Sequence, residues 1–135
     1  MDKRLAGALC VIALACTPPP RVPPRPPDPP QIFTTECDGL RMQLTVARQP
    51  RSAPTYELYI TDASGQPLAE DARVVLAFTP AGPHVSTTTV VARRTGAGRY
   101  GPANGFALSP GAWQVEVIAR QAGGTEAVCL FVFGV

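Results

Sequence analysis

The amino-acid sequence predicts an all-β domain, an immunoglobulin-like antiparallel sandwich of about seven strands, carried behind a signal peptide and a proline-rich linker. Three observations predict it. Apolar residues from position 32 onward recur with a period of two rather than 3.6. Glycine- and proline-bearing turn clusters punctuate those runs at short intervals. Nine of the chain's 16 prolines fall between Pro18 and Pro30, ahead of that pattern.

The N-terminus reads as an address. Lys3 and Arg4 form a short positive region, and 5–15 is an apolar run that ends in small residues, the pattern of a signal peptide. A membrane-spanning helix needs about 20 apolar residues, and proline stops this run at Thr17. Ala13-Leu14-Ala15-Cys16 is similar to a bacterial lipobox, in which a small residue precedes a cysteine that is lipidated and becomes the new N-terminus. Ala13 stands where leucine is usual. Lipidation of Cys16 is therefore expected. A conventional signal with a free or paired Cys16, and an uncleaved anchor, are the competing readings. Cys10 follows Leu9, a poor residue before a cleavage point, and leaves with 1–15. Thr17 rather than aspartate after the cysteine favours the outer membrane in Gram-negative sorting. The expected location is the cell envelope, facing the periplasm or the extracellular side.

Residues 16–31 then form a tether. TPPPRVPPRPPDPPQ locks φ and removes backbone donors, so polyproline II is expected. At 3.1 Å per residue such a spacer reaches about 45 Å. A docking ligand for a proline-reading domain is the functional alternative.

The domain over 32–135 shows its strands in order. Leu40, Met42, Leu44 and Val46 alternate with polar neighbours, as do Tyr56, Leu58 and Ile60. Ala72, Val74, Leu76 and Phe78 form a third set, and 85–92 is rich in threonine and valine. Residues 99–101 and 106–108 are short candidates. Trp113, Val115 and Val117 alternate with Gln114 and Glu116, and Trp113 is the expected central core aromatic, with ligand stacking as its alternative role. Residues 127–135 are apolar on both faces, as in a strand covered on both sides or one of ambiguous register.

Cys37 precedes the first long strand and Cys129 lies in the last. Export to an oxidising compartment permits a disulfide between them. A thiol pair binding copper or another soft metal is the alternative.

Little else points to chemistry. The net charge is +2, and removing Asp2, Lys3 and Arg4 leaves +1, too near neutral for an electrostatic case for nucleic acid. His84 is the sole histidine, and together with Met42 it is the candidate metal-ligand pair, short of the partners a metal needs. Glu36 and Asp38 flank Cys37 and are few for a hard cation. Glu70 and Asp71 read as a solvated corner, and Asp62 as a residue that sets its own turn. Arg93, Arg94 and Arg99 make a small positive spot or a solvated strand end. No nucleophile elbow, phosphate loop or zinc-protease motif occurs. No cofactor and no catalytic residue is expected.

The order of motifs from Tyr56 onward resembles the YtkA-like domain family, which includes FixH-like proteins. The matching stretches are Asp62-Ala63-Ser64-Gly65-Gln66-Pro67 with Asp71-Ala72-Arg73-Val74, then Pro80-Ala81-Gly82-Pro83-His84. Gly98-Arg99-Tyr100 and Gly111-Ala112-Trp113-Gln114-Val115-Glu116-Val117 follow. The resemblance implies an immunoglobulin-like sandwich in the envelope and no established enzyme activity. Some relatives carry methionine and histidine in the proline-centred loop and are linked to copper handling; here that loop has no methionine. The sequence therefore leads to a non-enzymatic, monomeric, membrane-anchored lipoprotein whose sandwich is a binding or structural module for an envelope protein. A copper-handling accessory of the periplasm is the alternative.

Overall fold

The computed structural model describes residues 16–49, 52–83, 85–102 and 107–135. Residues 16–30 are exposed and take neither helix nor strand. The described residues after them form nine strands: β1 (Gln31–Cys37), β2 (Leu40–Gln49), β3 (Ser52–Asp62), β4 (Arg73–Pro80), β5 (Thr88–Val91), β6 (Arg93–Gly96), β7 (Arg99–Gly101), β8 (Ala112–Arg120) and β9 (Glu126–Gly134). They build two antiparallel sheets, one ordered β1-β2-β3-β7-β6 and the other β5-β4-β8-β9. The two-layer sandwich is the expected fold.

The count exceeds the expected seven for local reasons. β1 joins β2 through a two-residue turn in which Asp38 and Gly39 both take positive φ, 51° and 78°. An Asp-Gly pair suits such a turn, because its twist matches that of the flanking strands. The threonine-valine run expected over 85–92 is a strand only at β5, and the chain then changes sheets at Ala92. β5 pairs with β4, whereas β6 pairs with β7 of the other sheet. Ala92 is buried and donates its N–H to the Val74 carbonyl at 2.9 Å. The candidate over 106–108 is not a strand where it is described. Phe106 lies outside the described residues, and Leu108 is a buried plug in a loop.

Each long strand sends alternate side chains inward. Met42, Leu44, Leu58, Ile60 and Tyr100 come from the first sheet, and Val74, Leu76, Phe78, Val115 and Val117 from the second. Phe78 is the hub of the aromatic packing. Its ring lies 5.3 Å from that of Tyr56 and meets Trp113 edge-on at 6.3 Å, an arrangement that suits the ring quadrupoles. Trp113 is buried as expected, and its indole N–H donates to the Ser109 carbonyl at 2.9 Å.

The β3–β4 connection is held by Asp62 and Gly98. Asp62 Oδ1 accepts hydrogen bonds from the Ser64 N–H, the Ser64 hydroxyl and the Gln66 N–H at 2.9, 2.7 and 2.9 Å. The turn is thus set by its own side chain. Behind it, Gly98 has φ +66°, and an added Cβ would sit 2.6 Å from the Ile60 carbonyl oxygen and 2.9 Å from Pro67 Cβ. Only glycine tolerates both the conformation and the contact.

The two flanks of the sandwich are closed differently. At one flank the continuous chain through β5 and β6 belongs to both sheets. At the other, β1 and β9 are joined by the Cys37–Cys129 disulfide, with a Cα–Cα distance of 5.8 Å that lies within the usual range.

Candidate functional site: the two solvent faces and the β9 edge

The outer faces of the two sheets differ in chemistry because their outward-facing alternation differs. On the first sheet, β2 and β3 place Gln43 opposite Tyr59 and Thr45 opposite Glu57. Tyr59 in turn lies opposite Arg99 on β7. The Arg99 guanidinium lies 5.1 Å from the centre of the Tyr59 ring and pairs with Glu57. Glu36 pairs with Arg41 at the β1–β2 hairpin. All of these ion pairs are exposed and contribute about 0–1 kcal/mol each. Apart from the exposed Ile32 on β1, this face is largely polar, and its charged side chains pair with one another.

The second sheet carries an apolar row among its polar outward residues. Val75 lies in register with Val91 on one side and Ile118 on the other, and Ile118 with Val128. One row of branched apolar side chains thus crosses all four strands on the solvent side. Leu130 and Val132 extend it along β9. Val91, Val128, Leu130 and Val132 are 47, 43, 51 and 68% exposed. A depression of about 260 Å³ opens between Val75 and Ile118, with Arg73 and Arg120 at its rim. Those two arginines face each other across β4 and β8, and Arg120 is held by two hydrogen bonds to Glu126 Oε2 at 2.9 and 2.7 Å. Exposed apolar side chains are ordinary singly; here they form a contiguous row with charge at its rim.

The run 127–135 is therefore not covered on both faces. Ala127, Cys129, Phe131 and Phe133 point into the core, and the even-numbered residues point out. The sequence could not separate these cases because the outward residues are themselves apolar. The signal lay in the contrast with β8, whose outward positions include Gln114 and Glu116.

A second depression, of about 380 Å³, lies at the pole formed by the β1–β2 hairpin and the Asp62 turn. Glu36, Asp38, Arg41 and Asp62 line it beside the disulfide. Every carboxylate there is already engaged. Glu36 accepts from Arg41, Asp38 accepts from the Val128 N–H, and Asp62 accepts three bonds within its turn. The Ser64 hydroxyl, followed by the Gln66 N–H, holds the Asp62 carboxyl below its usual range. Among the described residues, no group of three or more His, Cys, Asp or Glu is placed to hold a metal ion.

The individual candidates are placed as follows. Cys37 and Cys129 form a disulfide, so they are not a thiol pair for a soft metal. Met42 is 0% exposed and packs in the core. His84 lies outside the described residues, as do 1–15 with Cys10 and the lipobox positions before Cys16. Cys16 itself is exposed and unpaired. Arg94 is half-buried on β6 and bonds the Gly96 carbonyl at 3.1 Å, so it is part of the packing rather than of a positive spot. Tyr100 lies opposite it; burial raises the Tyr100 phenol, and the Arg94 charge pulls the other way. Among the described residues, no helix is long and apolar enough to cross a membrane.

These features define a class: a disulfide-clasped β-sandwich with an apolar row across the solvent face of one sheet, preceded by an exposed proline-rich stretch. Comparison with family models, with curated proteins and with solved structures finds no match to this chain.

Proposed function

We propose that this protein is a non-enzymatic lipoprotein of the cell envelope. It is anchored through a lipid on Cys16, spaced from the membrane by its proline tract, and its sandwich acts as a binding module. Its kinship, on this reading, is with the YtkA-like and FixH-like domains that its motif order resembles. The observation that carries the binding role is the apolar row Val91–Val75–Ile118–Val128 on the solvent side of the second sheet. Leaving such a row in water forgoes stabilisation of about 25 cal/mol for each Å² that a partner would cover. The first sheet, polar and internally paired, is the side turned to solvent. The exposed Cys16 at the head of an exposed, irregular stretch supports the anchor, since both the processing enzymes and the bilayer must reach it.

Metabolic labelling with an alkyne fatty acid tests the anchor. Label is expected to vanish in Cys16→Ser and to persist in Cys10→Ser; label retained in Cys16→Ser refutes it. Photo-crosslinkers placed singly at Val91 and at Thr45 test the binding face. Adducts are expected from Val91 on the apolar sheet, and adducts from Thr45 alone refute the assignment.

A further inference from the structure

The geometry points to self-association of this protein through β9, two copies adding edge to edge and antiparallel about a two-fold axis through Phe131. It stands on the strand edge alone and does not depend on the anchor.

β9 ends the second sheet, so one side of its backbone has no strand beside it. Which residues face that side follows from pairing with β8. Gly111 and Val135 exchange both backbone hydrogen bonds, at 3.0 and 2.9 Å. By alternation the odd-numbered residues of β9 bond to β8, and Val128, Leu130, Val132 and Gly134 aim their N–H and C=O groups outward. Native sandwiches guard such edges, and here only the ends are guarded. Asp38 Oδ2 accepts from the Val128 N–H at 3.3 Å, and Arg48 Nη2 donates to the Gly134 carbonyl at 3.4 Å. Among the described residues, the backbone groups of Leu130 and Val132 have no partner. Their side chains, 51 and 68% exposed, are the apolar ones.

The two guards carry opposite charge, and that selects the occupant. In an antiparallel pair that sets Leu130 opposite Val132 of the second copy, four backbone hydrogen bonds form between the open residues. Val128 then lies opposite Gly134 of the other copy. Each Asp38 meets the other copy's Arg48, at both ends of the interface. Both guarding bonds are long and exposed, so exchanging them for ion pairs costs little. An edge negative at one end and positive at the other is complementary to itself in this orientation and to no parallel arrangement. Two four-stranded sheets become one of eight. The apolar row of each copy lies on the same side and is widened rather than covered.

The test uses the full chain carrying Cys10→Ser and Cys16→Ser, which has no lipid point and no free thiol outside the disulfide. Sedimentation velocity over a concentration series is expected to show a monomer–dimer equilibrium. Val132→Pro removes an N–H that bonds nothing within the protein, and Leu130→Lys places a charge on the open edge. Each is expected to raise the dissociation constant at least about tenfold, with the near-ultraviolet circular dichroism and thermal midpoint of a folded domain retained. Arg48→Glu is expected to weaken the dimer in the same direction, with an effect that shrinks as salt rises. A protein monomeric up to its solubility limit overturns the inference. So does a dimer that both Val132→Pro and Leu130→Lys leave intact.

Discussion

Removing the disulfide separates the two flanks of the sandwich energetically. The flank at β5 and β6 is closed by the chain itself. The flank at β1 and β9 is closed by the Cys37–Cys129 bond and by the two long hydrogen bonds from Val128 to Asp38 and from Arg48 to Gly134. The cysteines are 92 positions apart, so the crosslink encloses nearly the whole domain. For a loop of that size the restriction of the unfolded chain amounts to about 4.6 kcal/mol, an upper figure because real unfolded chains are partly compact. Cys37→Ala/Cys129→Ala also leaves a small void where Cys129 is buried between its β9 neighbours. The expected loss is about 3–5 kcal/mol, at least about a fifth of the stability of an ordinary domain. Guanidinium unfolding followed by tryptophan fluorescence measures it, because Trp113 is the chain's one tryptophan and is buried. The denaturant slope should rise as well, since an uncrosslinked unfolded chain exposes more surface. A stability change below about 1 kcal/mol with an unaltered slope would refute the reasoning; so would two freely alkylated thiols in the unreduced exported protein.

Three further outcomes are expected. Gly98→Ala should cost at least about 2 kcal/mol, because its Cβ meets the Ile60 carbonyl, whereas Gly65→Ala, at φ +84° in open space, should cost about 1; equal losses in chemical denaturation would show that the contact is not as tight as drawn. Burial pushes the Tyr56 phenol up to about 12, so the folded state holds its proton where the unfolded chain, near 10, has lost it. Stability is then complete below pH 10 and falls between pH 10 and 12, by about 1 kcal/mol after allowance for residual solvent screening. Thermal midpoints across that range check it, and Tyr56→Phe should flatten the slope. Trp113→Phe removes the bond to the Ser109 carbonyl and part of the packing against Phe78; a loss of about 1–3 kcal/mol is expected in a denaturant titration.

The strands that bury one face and wet the other were legible in the sequence. β2 and β3 alternate apolar with mostly polar residues, and β4 and β8 keep an apolar inward set at every second position; each lies where that period puts it. Asp62 announced its turn because an aspartate before Ser-Gly bonds its own backbone. β1 is not legible as a strand, since in QIFTTEC the inward positions are Phe33, Thr35 and Cys37 and Ile32 points out. The Asp38-Gly39 pair that closes its hairpin was the available signal. The switch at Ala92 left no mark at all, because a strand that changes sheets differs from one that continues only in its partners. The candidate contact face was legible only as an ambiguity. A strand apolar on both sides is written the same way whether or not its outer face is covered, and it is the exposure of Val128, Leu130 and Val132 in the folded protein that separates the two.

On the proposed reading of a lipid-anchored protein that pairs through β9, the proline-rich stretch and the strand edge would constrain each other. β1 starts at Gln31, opposite Val46, close to the end where Arg48 reaches Gly134. The disulfide and Asp38 sit at the far end. The chain therefore enters the domain at one pole, and β9 runs from the far pole back toward it. In the antiparallel pair the two entry poles lie at opposite ends, separated by about the length of β9, some 30 Å for nine residues. Two copies held in one bilayer by anchors flush with their domains could not adopt that arrangement, because both entry poles would have to face the membrane. A spacer reaching about 45 Å removes the conflict. With it, the paired sheets would lie along the membrane plane and each tether would descend from its own end. A proline tract is suited to this, being extended without a folding partner and too stiff to collapse onto the domain. On that reading the linker's length would answer to the geometry of the assembly as well as to distance from the bilayer. The apolar rows of the two second sheets would then be left free along the side of the dimer, open to the binding partner proposed above.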